Sequence, residues 1–175
     1  QFVRTLFETL QAQGVHTALD TAANVPWDTL EFVLEVSDML LLDIKLADDA
    51  AHRRYTGVGN ARILENAERA AQYAREHGLV IWVRTPIIPG ATDSAENIKA
   101  IGRFIAEHIA GAAERWELCA FNNLCRDKYA RAGIKWDYEE APLMRREELE
   151  RLRGIAAQSS GVGEAAVWTG AVRRE

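Results

Sequence analysis

Cysteine and proline are scarce in this chain of 175 residues, which holds two of the first and four of the second. Cys119 and Cys125 cannot build a disulfide framework, and the five residues between them fit no common zinc spacing. They read as reduced thiols. No apolar run approaches the roughly 18 residues a membrane helix needs, and the first residues lack the charged, then apolar, then small-residue order of a signal peptide. An excess of basic charge is missing as well: 26 acids against 21 bases leave a net charge of −5. That balance gives no electrostatic footprint for nucleic acid or an anionic membrane. These absences together predict a cytoplasmic protein with no nucleic-acid and no membrane partner. What is present, 48% hydrophobic and 27% charged residues, suits one globular domain spanning 1–175.

Hydrophobic period and breakers alternate along the chain between helices and short apolar strands. A helix is predicted over 2–13, stopped by Gly14, and a first strand over 15–20. A helix over 27–36 leads to a second strand, 39–45, whose Met39-Leu40-Leu41-Leu42 is continuously apolar, as in a parallel sheet buried on both faces. Helices over 48–55 and 61–77, the latter ended by Gly78, precede a third strand at 79–84. The segment 84–93, with Pro86, Pro89 and Gly90, reads as a rigid loop. A helix over 94–110, a strand at 116–121, an irregular polar stretch at 122–140, a helix started by Pro142 and a strand at 165–168 complete the order. Strands joined by helical crossovers argue for parallel pairing, in a barrel or an open sheet. Five strands are too few for a closed eight-stranded barrel, so a partial barrel is expected.

In such folds function gathers at the carboxyl ends of the strands, and the polar residues gather there: Asp20-Thr21, Asp43-Ile44-Lys45, Arg84-Thr85, Asn122-Asn123 and Thr169. Asp20 and Asp43 could share a hard cation, or Asp20 could cap a turn while Asp43 pairs with Lys45. Lys45 could form an imine or sit in a salt bridge. Arg84 could grip a carboxylate or phosphate, or bond loop carbonyls. Gly57-Val58-Gly59 follows a helix and supports no dinucleotide fingerprint. The histidines are scattered, and no serine sits at a strand-to-helix elbow. Arg126, Lys128, Tyr129, Arg131, Lys135, Trp136 and Tyr138 form a mixed aromatic and basic cluster, either a docking surface or lid, or an ordered loop packed through Trp136.

Taken in order, Leu19-Asp20-Thr21, Leu42-Asp43-Ile44-Lys45, Trp82-Val83-Arg84 with Ile88-Pro89-Gly90 and Asp93, and Glu117-Leu118 leading to Lys128-Tyr129 resemble the C-terminal two-thirds of a glycyl-radical-enzyme activating enzyme. This is the radical S-adenosylmethionine family that includes pyruvate formate-lyase activase. The resemblance implies an α/β fold, a partial (β/α) TIM-type barrel with parallel strands and its N-terminal strands missing. It implies an oxidoreductase whose 4Fe-4S cluster reductively cleaves S-adenosylmethionine to a 5′-deoxyadenosyl radical, which installs a glycyl radical on a partner. That partner is a glycyl radical enzyme of the formate acetyltransferase kind, and flavodoxin or ferredoxin donates electrons. By position, Asp43, Ile44, Lys45, Arg84 and Asn122 would bind the cofactor. Asp20, Thr21, the backbone of Leu41 and Asp43 would hold a monovalent cation. The family's three-cysteine cluster motif and its glycine-rich segment are absent, Phe121-Asn122 replaces Tyr-His, and Ala22-Ala23 replaces Asn-Gly. The expectation is thus a piece of such an activase, beginning after the cluster loop and inactive alone. The alternatives are a barrel lyase or aldolase acting through Lys45, and a non-catalytic interaction domain.

Overall fold

The computed structural model describes residues 1–173. They run as α1 (Phe2–Gln11), β1 (Ala18–Thr21), α2 (Trp27–Leu34), β2 (Met39–Asp43), α3 (Asp49–Thr56), α4 (Ala61–His77) and β3 (Val80–Ile87). The second half continues as α5 (Ala95–His108), β4 (Ala113–Ala120), α6 (Arg126–Ala132), α7 (Arg146–Ser160), a 3-10 turn (Gly163–Ala165) and β5 (Ala166–Thr169). The five strands form one sheet in the order β1-β2-β3-β4-β5, parallel at every step. This is a partial (β/α) barrel.

Alternation along each strand divides the sheet into two faces. Leu40, Leu42, Ile81, Val83, Trp116 and Leu118 are buried and join one apolar cluster with residues of α2, α4, α5 and α7. Helix α4 belongs there because Ile63, Ala67, Ala70, Ala71 and Ala74 repeat at helical spacing on its sheet side. It stops at Gly78, whose φ of 76° is a left-handed cap that a side chain would strain. Helices α5 and α7 approach so closely that a Cβ at Gly102 would lie 1.9 Å from Ser159 Oγ. The opposite face, carrying Leu41, Asp43, Trp82, Arg84, Arg115 and Glu117, contributes nothing to that cluster.

Several boundaries differ from expectation, each for a local reason. The first strand begins at Ala18 rather than residue 15, because the backbone of Thr17 is bound by Asp38: its N–H donates to Asp38 Oδ2 at 2.7 Å, and its carbonyl accepts from Asp38 and Met39. β2 ends at Asp43, two residues early. β3 runs through Pro86 to Ile87 instead of ending at Arg84. The stretch 122–140 contains α6. Helix α7 starts at Arg146, not Pro142, with the Arg145 N–H donating to Glu148 Oε2 at 3.2 Å.

Candidate functional site

The parallel register explains which strand-end residues meet. Asp43 of β2 pairs with Arg84 of β3, which pairs with Glu117 of β4, so these three side chains share the open face. Asp20 sits one step back on β1, opposite Leu41, and Arg84 reaches across β2 to it: Nη1 donates to Asp20 Oδ2 at 2.8 Å. Arg84 Nε lies 3.4 Å from Glu117 Oε2, an ion contact too poorly aligned to be a hydrogen bond, and this buried N–H has no hydrogen-bond acceptor among the described residues. Arg115 Nη2 forms an ion pair with the other Glu117 oxygen, Oε1, at 3.1 Å, while its guanidinium lies 4.5 Å from the centre of the Trp82 ring. Lys45 Nζ bonds Asp43 Oδ2 at 2.7 Å. Three carboxylates and three cations are thus interleaved across four strands.

Not every expected residue joins this group. Thr21 pairs with Leu42, on the face opposite to Asp20, and its hydroxyl accepts from the Ala23 N–H at 3.0 Å. Asn122 is exposed beyond β4, its side chain accepting from the Leu124 N–H at 3.2 Å. Ile44 is buried on the helix-covered side, so only its backbone can belong to the site. No group of three or more His, Cys, Asp or Glu side chains suited to a metal occurs among the described residues. The aromatic cluster is an ordered pack: Trp136 stacks on Tyr129 at 5.3 Å, and both Trp136 and Tyr138 lie 6.0 Å from Phe121 at the end of β4.

Three buried asparagines went unnoticed in the sequence, and they hold the loops that carry the site. Asn66 donates to the carbonyls of Ala23 and Val25 at 2.7 and 2.8 Å. It thereby fixes the turn after β1, where Ala23 takes a φ of 55°, a conformation costing an L-residue roughly 1–2 kcal/mol. Asn60 donates to Leu46 and Ala47, and Asn97 to Lys45 and Thr92. Their signal was a polar residue on an otherwise apolar helix face: Asn66 between Ile63 and Ala67, Asn97 beside Ile98 and Ile101.

Comparison with known proteins identifies relatives of the chain. The chain is 30% identical over 156 residues to the (2S)-3-sulfopropanediol dehydratase activating enzyme of Klebsiella oxytoca, covering 89% of this chain and 48% of the relative. It is 31% identical over 160 residues to the pyruvate formate-lyase 1-activating enzyme of Escherichia coli K12, covering 90% and 63%. The chain is homologous to the glycyl-radical-enzyme activating enzymes. This homologue spans about half to two-thirds of the length of those two relatives. Its fold matches a domain of pyruvate-formate lyase-activating enzyme from Bacteroides vulgatus with a TM-score of 0.74 at 22% identity, covering 97% of this chain and 90% of that one. It also matches Streptococcus suis SuiB bound to S-adenosylmethionine, with a TM-score of 0.64 at 17% identity over 95% of this chain and 36% of that one. No protein-family model matches the chain.

The family resemblance of the sequence implies a 4Fe-4S cluster, and the thiols of this chain do not fit one. A cluster is held by Cys thiolates, usually four, three of them protein ligands where a site is left open. Cys125 is exposed beside α6, whereas Cys119 lies on β4. Burial pushes the Cys119 thiol up against the opposing pull of Arg84, which favours the protonated form. A carboxylate-bearing cofactor fits better, since Lys45, Arg84 and Arg115 bring three cations to the open face of the sheet.

Proposed function

We propose that the open end of the sheet binds S-adenosylmethionine in an enzyme that activates a glycyl radical enzyme. In such an enzyme the cofactor, reduced by one electron at a 4Fe-4S cluster whose ligands the two thiols of this chain do not supply, would release methionine and furnish the 5′-deoxyadenosyl radical that takes a hydrogen atom from a glycine of the partner. The electrons come from a donor of the flavodoxin or ferredoxin kind. The observation that carries this reading is the charge cluster around Arg84: a guanidinium on the open face of β3, balanced between Asp20 and Glu117, with the Lys45 ammonium beside it as a second cation for a ligand's carboxylate. Asp43 and Lys45 stand beside it as an ion pair, able to turn outward to a ligand's hydroxyls and carboxylate. Asn122 and the backbone of Ile44 are assigned to the same ligand. Asp20, Asp43 and the carbonyl of Leu41 are assigned to a monovalent cation that offsets repulsion between the two carboxylates and the ligand's own, with Thr21 contributing only through its backbone because its hydroxyl is turned to Ala23.

The roles separate cleanly. Arg84 orients a carboxylate, Lys45 screens it, and Asp20 keeps Arg84 extended across β2. The chain alone, with no cluster-ligand set among its described residues, is expected to bind but not to generate a radical. Calorimetric titration with S-adenosylmethionine should therefore show binding that Arg84→Gln weakens about tenfold, the loss of one charge-assisted hydrogen bond. Absence of heat at roughly millimolar ligand, a Kd worth only about 4 kcal/mol, would sink the assignment.

A further inference from the structure

The backbone that follows β2 is held in an unusual way. Four consecutive carbonyls, from Ile44 to Ala47, each accept a hydrogen bond from a side chain rather than from a strand. Thr85 Oγ1 donates to Ile44 at 2.8 Å, Asn97 Nδ2 to Lys45 at 3.1 Å, and Asn60 Nδ2 to Leu46 at 3.0 Å and to Ala47 at 2.8 Å. Asn97 closes the set by accepting from the Ala47 N–H at 3.1 Å. Its second amide hydrogen goes to the Thr92 carbonyl at 3.0 Å, so both donors and the acceptor of this buried side chain are committed. Thr92 in turn accepts from the Ile88 N–H at 2.8 Å and donates to the Pro86 carbonyl. One amide therefore couples the segment after β2 to the loop after β3.

A backbone whose four carbonyls are bound by Thr85, Asn97 and Asn60 cannot swing, and Lys45 lies within it. We infer that Asn97 is a positioning residue: through the Lys45 carbonyl and the Ala47 N–H it fixes the direction from which the Lys45 ammonium meets Asp43 and an incoming ligand. This rests on the proposed S-adenosylmethionine site for its ligand, but not for the placement of Lys45. A preorganised ammonium loses less freedom on binding than a mobile one. The arrangement has the form expected of a second layer behind a binding group, set on helices rather than loops.

The test compares Asn97→Ala, the milder Asn97→Ser and a control, Ile101→Val, which loosens the core one turn along the same helix. Two quantities are read on the 175-residue chain: the rate at which dilute acetic anhydride acylates Lys45 relative to exposed Lys128, and the Kd for S-adenosylmethionine. Asn97→Ala should raise the relative reactivity of Lys45 and weaken binding, each about tenfold, with Asn97→Ser intermediate and Ile101→Val close to the parent. Should Asn97→Ala not fold, Asn97→Ser alone decides. Unchanged reactivity in the folded variant, or unchanged affinity once Lys45 has become reactive, overturns the inference. If the parent chain binds no S-adenosylmethionine, the functional reading fails by itself, and acylation of Lys45 still decides whether Asn97 positions it.

Discussion

Replacing Thr85 by valine tests the account of how β3 passes through a proline. In a parallel ladder the N–H of residue 86 would bond the Ile44 carbonyl, since Ile44 N–H already bonds the Arg84 carbonyl at 2.9 Å. Pro86 has no N–H. The Thr85 hydroxyl supplies the missing donor at 2.8 Å, and its oxygen accepts the Trp116 indole N–H at 3.0 Å. Thr85 and Trp116 are completely buried and Ile44 nearly so, so Thr85→Val strands one carbonyl and one indole N–H away from water. Each unmet partner costs about 1–3 kcal/mol, offset by about 0.8 kcal/mol for the added methyl, which leaves about 3 kcal/mol of destabilisation. For a chain of this size that lowers the Tm by about 6–12 °C, and in urea it should lower the midpoint by about 1.5 M at constant slope. Thr85→Ser keeps both hydrogen bonds and should cost about 1 kcal/mol for the lost methyl. In the valine background Trp116→Phe should cost about 1–2 kcal/mol less than in the parent, because the indole N–H is already unpaired. A valine variant as stable as the serine variant would refute the reasoning.

Two further outcomes follow from charge and burial. The Asp38 carboxyl is held below its ordinary range, first by the Thr17 N–H, then by the Thr17 hydroxyl and Gln11. A depressed carboxyl contributes stability that is complete above its unfolded pKa near 4 and lost as pH falls through the lower folded value, so Asp38→Ala should cost more at pH 7 than at pH 2, measured by urea unfolding. The two thiols should behave oppositely: a chromogenic disulfide should label exposed Cys125 rapidly and Cys119 slowly until the chain unfolds, and anaerobic reconstitution with iron and sulfide should leave no cluster. Equal labelling rates, or a stoichiometric 4Fe-4S cluster, would contradict the placement of Cys119.

What the sequence disclosed, and what it withheld, divides by the range of the interactions concerned. The order of strands and helices was readable because burial repeats locally: Leu40 and Leu42 on one face of β2, Ile63, Ala67, Ala70 and Ala74 on one stripe of α4. The strand-end positions of Asp20 and Asp43 followed from the same periodicity, whereas Lys45 lies two residues beyond β2 and Arg84 three residues before the end of β3. The proline rule alone would have ended β3 at Arg84, and it failed because a side chain 41 residues from the orphaned carbonyl does the work of the missing N–H. The pairing of Arg84 with Asp20 was equally out of reach, since it joins residues 64 apart and skips a strand that lies between them.

The same division explains why the supporting asparagines were missed while the charged residues were not. An ionisable group at a strand end advertises itself, because leaving it unpaired in a partly dry site is costly. An asparagine on a helix gives only a faint signal, a polar position on an apolar stripe, and its purpose appears once the backbone it satisfies is in place. Asn60 and Asn66 bind carbonyls at least 13 residues away, and Asn97 binds one 52 residues and one 5 residues before it. Together they replace strand pairing where the strands have ended and the loops begin. The ends of parallel strands must leave the ladder to form a site, so their carbonyls need donors from elsewhere. In this chain those donors come from helices packed on the far side of the sheet, which ties the position of Lys45 to the core beneath it.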